Sequence, residues 1–370
     1  MRDINTPLEI GMEEIDCSFI DGPYIYIHEQ QVDSYSILCS KDAHHLQIKK
    51  ESFPLQPGIN PTFITYVDNS PSPATSAFFE FEIDTTTSYI EADCEYNEAE
   101  KLVAISDIEG NFSGLKNILL ATGVMNDQFN WTFDTGHLVI TGDLIDRGAN
   151  VLACLWLVYK LDMQAKSQGG KVHYLLGNHE VMNYNGDFRY VNHKYLKYIH
   201  ALHWDPRNLF AQSTVLGKWH REKNSVEKIG KYLFLHAGFS KEILQRKFSL
   251  QQINDLIRSN LDKPIEEIEG DAQKSLMDDL GPLWYRGLID QNRKYHAATP
   301  EDVQETLNYY KAKKIVVGHT LVPFIQQFHD KKVIGIDTNM PGKHQSRIQS
   351  LLIDKGKEFV VDEMGSKWKL

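Results

Sequence analysis

Five short, largely apolar runs set the plan of this chain, and each stops on residues able to hold a cation or an anion. Leu102 to Ile105 runs into Ser106 and Asp107, and Leu138 to Ile140 into Thr141, Gly142 and Asp143. Val172 to Leu176 is followed by Gly177 and Asn178, Tyr232 to Leu235 by His236, and Ile315 to Val317 by Gly318 and His319. Near-continuous apolar runs mark strands buried on both faces, and open α/β sheets bind ligands at the carboxyl ends of their strands. Helical spacing fills the gaps. Ser113 to Thr122 and Asn150 to Lys166 carry apolar residues at that period, with Gly123 and Gly169–Gly170 just past their ends. Ser249 to Leu261 and Thr299 to Lys313 predict two more helices, the second opened by Thr299 and Pro300. Residues 187–225, rich in His, Lys, Tyr and Trp, predict an inserted helical excursion. Val333 to Asp337 and Ile348 to Ile353 predict strands. The turn at Asp354 to Gly356 and the run Glu358 to Val361 then predict a hairpin closing the second sheet. The class is α/β.

The first part of the chain has a different rhythm. Phe79, Phe81 and Ile83 alternate with Glu80, Glu82 and Asp84, the period of a half-buried strand, and Tyr24 to Ile27 predicts another. Pro54 to Pro61 and Asn69 to Ser76 have the composition of turns and loops. Residues 1–98 are therefore expected to form a β-rich N-terminal domain, docked on a second domain, 99–370, or extending one of its sheets.

Charge divides along the same line. The net charge of -11 conceals 4 Lys/Arg against 19 Asp/Glu in residues 1–100, and 35 against 31 in the rest. The motif-bearing part is mildly cationic, which suits an anionic substrate, and it lacks the polybasic stripe of a nucleic-acid partner. Cys17, Cys39, Cys94 and Cys154 show neither metal-ligand nor redox spacing and read as reduced thiols. No signal-peptide profile opens the chain, and no apolar run reaches the roughly 18 residues of a membrane span, so a cytoplasmic protein without a membrane partner is expected. Nothing in the sequence sets an oligomeric state.

Two adjacent divalent cations need a carboxylate to bridge them and a shell of oxygen and imidazole ligands. Asp107, Glu109, Asp143, Asn178, His236 and His319 supply that set at the expected strand ends, with Gly110, Gly142, Gly177, Gly238 and Gly318 beside them. A lone strand histidine is more often a satisfied core residue, and a lone Gly-Asp is usually a turn. Five such items in ordered series argue for a site. His137 and His173 read as structural, and His44–His45 as a solvated pair. His193, His200, His203 and His220 in the excursion, and Trp284 near Arg286, are weaker candidates for the cleft.

This ordered set resembles the calcineurin-like metallophosphoesterases. The likeness runs through Asp107-Ile-Glu-Gly-Asn111, Gly142-Asp-Leu-Ile-Asp-Arg-Gly148, Gly177-Asn-His-Glu180, His236-Ala-Gly238 and Gly318-His319, covers about residues 101–355, and leaves the first 100 outside. The Asp-Arg-Gly and Asn-His-Glu forms are similar to the phosphoprotein phosphatase branch. Val181 to Asn183, Gly186 to Val191 and Gly281 to Arg286 resemble the bacterial Shewanella-like protein phosphatases.

The resemblance implies a four-layer α/β/β/α sandwich with a β-rich N-terminal extension, in which residues 99–370 are the catalytic domain. It implies two divalent ions, manganese first, with magnesium, iron or zinc as alternatives. Asp143 would bridge them, Asp107 would hold the first, and Asn178, His236 and His319 the second. A water between the cations would supply the attacking hydroxide. His179 would protonate the leaving oxygen, with Asp146 orienting its ring. Arg147 would grip phosphate oxygens, with Asn178 beside it, and either Arg286 or Arg189 would be the second arginine usual in this branch. One residue departs from the pattern: the family's first motif reads Asp-x-His, and here Glu109 stands third. Either its carboxylate holds the first ion, favouring manganese or magnesium over softer metals, or it misses and leaves that site weak. Asn339 stands where relatives carry glycine. The implied activity is hydrolysis of phosphomonoesters, on phosphorylated proteins foremost. A nucleotide or dinucleoside-polyphosphate hydrolase and a weakly active phosphoryl-binding regulatory module are the alternatives.

Overall fold

The computed structural model describes residues 10–11, 21–39, 45–56, 58–67, 77–85, 92–201, 203–339 and 348–370. Two six-stranded sheets form its centre. In the first, Lys171–Tyr174, His137–Ile140 and Lys101–Ile105 run parallel, and Gln349–Asp354, Lys357–Asp362 and Lys367–Lys369 continue the sheet antiparallel. In the second, Val333–Gly335, Lys314–Val317 and Tyr232–Leu235 run parallel, flanked by Gln326–Phe328 on one side and by Val226–Ile229 and Glu95–Tyr96 on the other.

The sheets pack face to face. Leu102, Ala104 and Val139 of one meet Tyr232, Phe234, Val316 and Ile334 of the other in a single apolar cluster. The alternate residues of the same strands, Val103, Ile105, Leu138 and Ile140, belong to the cluster holding Leu115, Ile118 and Leu155 of helices Phe112–Ala121 and Val151–Ser167. Leu233, Leu235, Ile315 and Val317 likewise share it with Ile253 and Ile257 of Leu250–Arg258 and Val303 and Leu307 of Pro300–Tyr309. The result is the expected four-layer α/β/β/α arrangement. With both faces covered, these strands carry apolar side chains pointing both ways, which is why they read as largely apolar runs.

Local signals place the helices close to expectation. Thr299 caps Pro300–Tyr309 through the Asp302 amide, and Ser249 caps Leu250–Arg258 through that of Gln252. The excursion holds helices His193–Ala201 and Val215–Arg221 around a 3-10 turn, Pro206–Phe210. The C-terminal hairpin is a correction. It does not close the second sheet but joins the first, where Leu351 pairs with Ala104. That register turns Leu351, Ile353 and Val360 toward the core between the sheets.

The N-terminal segment supplies an antiparallel four-stranded sheet and the hairpin Thr62–Val67/Ala77–Glu82. Phe79, Phe81 and Ile83 point inward as the alternation requires. They cover the outer face of Val151–Ser167: Phe81 stacks on Trp156 at 4.3 Å, and the Trp156 indole N–H donates to the Pro23 carbonyl. Twelve residues of that helix are buried, because it lies between a sheet and this second cover. Cys94 and Cys154 are buried free thiols. Cys17, His44, the side chains of Cys39 and His45, and Asn69 to Ser76 lie outside the described residues. Among the described residues, no helix is long and apolar enough to cross a membrane.

Candidate active site

The loops leaving the parallel strands converge on one groove of about 460 Å³, within the range of ligand pockets. Asp107, Glu109, Asp143, Arg147, Asn178, His179, Arg286 and His319 all line it. His236 lies fully buried beneath. The backbone there is held in an uncommon conformation: Asp107, Glu109, Asp143, Asp146, Arg147 and His319 have φ between 49° and 72°. Each such non-glycine residue costs about 1–3 kcal/mol and persists only where its surroundings over-determine it. Gly142 shows how close the loops come, since a Cβ there would lie 2.6 Å from the Gly177 backbone.

Glu180 fastens these loops. Fully buried at the third position of helix Asn178–Asn185, its carboxylate accepts from the amides of Asp143 at 2.9 Å, Leu144 at 3.0 Å and Gly177 at 2.8 Å, and from the Tyr174 hydroxyl. Asp143 is thereby set with one oxygen accepting from the His179 amide. Its other oxygen faces His236 Nε2 at 3.1 Å.

Lone-pair donors collect around that point. His236 Nε2 lies 2.8 Å from Asn178 Oδ1 and 3.2 Å from His319 Nδ1. His236 Nδ1 sits 2.7 Å from the Thr141 carbonyl, so a proton there leaves Nε2 free to ligate. Asp143, His236 and His319 bring ligand atoms within 4.8 Å of one another, and so do Glu109, Asp143 and His179. Two buried atoms, Glu109 Oε2 and His319 Nε2, have no hydrogen-bond partner among the described residues. Buried polar atoms are rarely left so, and a divalent cation fits this donor set. The charges agree. Despite burial, His236 and His179 hold the Asp143 carboxyl far below the usual range, and Asp143 in turn pushes His236 up to about 9 against the pull of burial. Burial, and then His236, keep His319 neutral.

His179 stands beside this cluster. Its Nδ1 is 2.7 Å from Asp146 Oδ2, and its Nε2 is 3.8 Å from Asp143 Oδ2. Burial disfavours the imidazolium, but the Asp143 and Asp146 carboxylates outweigh it and raise the pKa. A proton on Nε2 is then available to an oxygen in the groove. Arg147 is ion-paired with Glu109 and lies over the Tyr190 ring at 5.1 Å. Arg286 reaches the groove, donating to the His319 carbonyl at 2.6 Å. Arg189 does not line it: its side chain is 68% exposed, and its guanidinium holds Asp187 through two nitrogens.

Sequence reasoning gave no role to several groups found here. Tyr190, Asp337 and Asn339 line the groove, and Asn339 donates to the Asp107 carbonyl at 2.7 Å. Asn183 donates to Asp146 Oδ1 at 2.9 Å and to the His179 carbonyl at 3.0 Å. Its signal was its place four residues after His179, on the same helical face. Glu180 was legible as an acidic residue at the third helical position, from which a carboxylate can reach back to the N-cap amide, here that of Gly177. Of the weaker candidates, Trp284 lines the groove, while His193, His200, His203 and His220 do not. His220 is fully buried against Phe210. His137 and His173 form a chain with Glu227 away from the groove.

Comparison with known proteins agrees with the geometry. The family model for calcineurin-like phosphoesterases matches residues 100–323. The chain is 30% identical over 247 residues to Shewanella-like protein phosphatase 1 of Plasmodium berghei, covering 65% of this chain and 67% of that protein. Over 102 residues it is 37% identical to Shewanella-like protein phosphatase 2 of Arabidopsis thaliana, covering 28% of this chain and 26% of the other. Among solved structures it is similar to a cold-active protein-tyrosine phosphatase of a psychrophilic Shewanella, with 28% identity and a TM-score of 0.80 over 95% of this chain and 99% of that one. That span takes in most of the N-terminal strands, which the motif resemblance leaves out. The family implies a metal centre, and the ligand clusters fit one. The chain belongs to the calcineurin-like phosphoesterase family and is a hydrolase of phosphoesters.

Proposed function

We propose that this protein is a metal-dependent protein phosphatase, with residues 99–370 as the catalytic domain and 1–98 as an N-terminal domain that covers it. The observation that carries the reading is the Asp146–His179 pair aimed into a groove that also holds the ligand clusters and two arginines. Asp107, Glu109 and Asp143 would hold one cation, and Asp143, Asn178, His236 and His319 a second. Manganese is the first choice because Glu109 adds a hard oxygen ligand. Bound there, the cations supply charge neutralisation and an acidified water. Arg147 and Arg286 bind and orient phosphate oxygens, as planar guanidinium groups do. Asn178 lines the same groove and would add its side-chain amide to that grip. His179 gives its Nε2 proton to the departing oxygen, and Asp146 keeps that proton on the correct nitrogen. The names of the Plasmodium and Arabidopsis relatives and of the Shewanella structure support a phosphoprotein substrate.

The test is steady-state kinetics with added manganese on phosphoserine, phosphothreonine and phosphotyrosine peptides against nucleoside polyphosphates. Preference for the peptides, and a loss of order 10²–10⁴ in turnover for His179→Ala, are expected. A large preference for the nucleotides would replace the protein substrate with a nucleotide one. Phosphate binding without turnover in the wild type would reduce the chain to a phosphoryl-binding module.

A further inference from the structure

The loop from Asp146 to Asn150 carries both the partner of His179 and the guanidinium assigned to phosphate, yet it belongs to no helix or strand. Asp146 and Arg147 are both left-handed there, with φ of 72° and 54°. Residues 190–195 hold it in place. The Tyr190 carbonyl accepts from the Arg147 amide at 2.9 Å, and Asn192 Nδ2 donates to the Arg147 carbonyl at 2.8 Å. The Ala149 carbonyl accepts from Lys194 Nζ at 2.8 Å and from the Tyr195 hydroxyl at 3.0 Å, and that hydroxyl accepts from the Leu152 amide.

The clamping segment is anchored in turn on the N-terminal sheet. Lys194 Nζ, besides reaching Ala149, lies 2.9 Å from Asp21 Oδ1, and both side chains are nearly buried. Asp21 opens strand Asp21–Ile27 and is held by the Tyr24 hydroxyl. Tyr24 and Tyr26 of that strand pack edge-on against Trp204 of the excursion, and the Ile27 amide donates to the Ser213 carbonyl. One ammonium therefore joins a backbone carbonyl of the phosphate loop to a carboxylate on a different sheet. A buried ion pair adds little to stability over an apolar substitute, whereas a directional link between two segments fixes geometry.

We propose that Lys194 is a positioning residue for Arg147, with Asp21 as its anchor, so that the N-terminal sheet helps build the phosphate site. This rests on reading Arg147 as the phosphate clamp, though not on the identity of the phosphorylated substrate. With the strut removed, the Ala149 carbonyl loses its charged donor and the two left-handed residues before it relax.

The experiment measures orthophosphate, both as a binder by calorimetry and as an inhibitor of p-nitrophenyl phosphate hydrolysis by the full chain with manganese. Lys194→Met and Asp21→Asn remove the two ends, and Tyr195→Phe removes the neutral bond to the same carbonyl should Lys194→Met fail to fold. Each is expected to weaken orthophosphate about three- to tenfold, the worth of one charge-assisted or neutral hydrogen bond shared with positioning. In an Arg147→Ala background the same changes should have no further effect. Unchanged affinity in the folded variants, or the same loss with Arg147 absent, would overturn the proposal and leave the pair as a staple. Orthophosphate and p-nitrophenyl phosphate need no protein substrate, so a chain that rejects phosphopeptides would still return an answer.

Discussion

Asn183→Ala should damage the proton donor without touching the groove. Asn183 is buried, and its amide makes two hydrogen bonds, at 2.9 Å to Asp146 Oδ1 and 3.0 Å to the His179 carbonyl. The first has a charged acceptor, and such bonds contribute about 1.5–3 kcal/mol. If all of it were expressed in the transition state, turnover would fall by about 10- to 150-fold, since 1.36 kcal/mol is a factor of ten. Asp146 keeps its 2.7 Å contact with His179 Nδ1, so only the orienting share is lost, and a fall of about tenfold is expected. The loss should depend on the leaving group. A serine alkoxide needs the proton, whereas p-nitrophenolate departs without one. Turnover of a phosphoserine peptide should therefore drop about tenfold and that of p-nitrophenyl phosphate by less than about twofold. The assay is kcat on both substrates at saturating manganese. Equal losses would refute the reasoning, because a loosened helix or a weakened metal site slows every substrate alike.

Three further outcomes follow from other parts of the molecule. Phe81→Ala removes the ring stacked on Trp156, and urea unfolding should show a loss of about 3–5 kcal/mol, as for other buried aromatics; a value near zero would mean the N-terminal hairpin is not part of the cooperative core. His137 has a pKa pulled down to about 4, first by burial and then by His173 and Lys171. The unfolded chain takes up this proton near pH 6.5 and the folded one only near 4, so His137 contributes stability above pH 6.5 that is lost as pH falls toward 4; His137→Gln should flatten that part of the stability curve. Chelation followed by thermal melting should lower Tm, and cation should restore it with a concentration dependence set by mass action, an effect that Asp143→Asn should abolish.

How far the sequence could be read depended on the range of the interaction concerned. Strand ends were legible because burial on both faces forces apolar runs, and the ligating residues interrupt those runs abruptly. Thr299 and Ser249 were legible because caps act within one turn. The hairpin Gln349–Asp354/Lys357–Asp362 was visible as a hairpin, but not as part of the first sheet, since alternation does not say which edge a strand will join. The choice between Arg286 and Arg189 depended on the path of two loops and on Asp187, two residues from Arg189 and in position to hold it at the surface. The helix Val151–Ser167 carried an unused signal. Apolar all round from Val151 to Tyr159, it called for a second cover, and only the N-terminal strands remained to supply one.

Glu109 and Asn339, the two departures from the family pattern, meet in the structure, and together they relocate the question of the first metal. The Asn339 amide donates to the carbonyls of Asp107 and Ile108, holding the turn in which Asp107 and Glu109 are both left-handed. A glycine at 339 could not make those bonds. The turn that presents Glu109 is thus held from a strand end of the opposite sheet, and the substitution of carboxylate for imidazole comes with its own support. One Glu109 oxygen is engaged by Arg147, while the other is buried and has no hydrogen-bond partner among the described residues. A carboxylate can serve a cation and a guanidinium at once through its two oxygens, whereas a neutral imidazole ligand would leave Arg147 without its charge partner. On that reasoning Glu109→Gln should weaken the first cation and also free Arg147. Asn339→Gly should weaken the cation while leaving the Glu109–Arg147 pair able to form. Cation titrations of the two variants, each followed by orthophosphate binding, separate these effects, and identical behaviour would show that the turn and the charge are not independent.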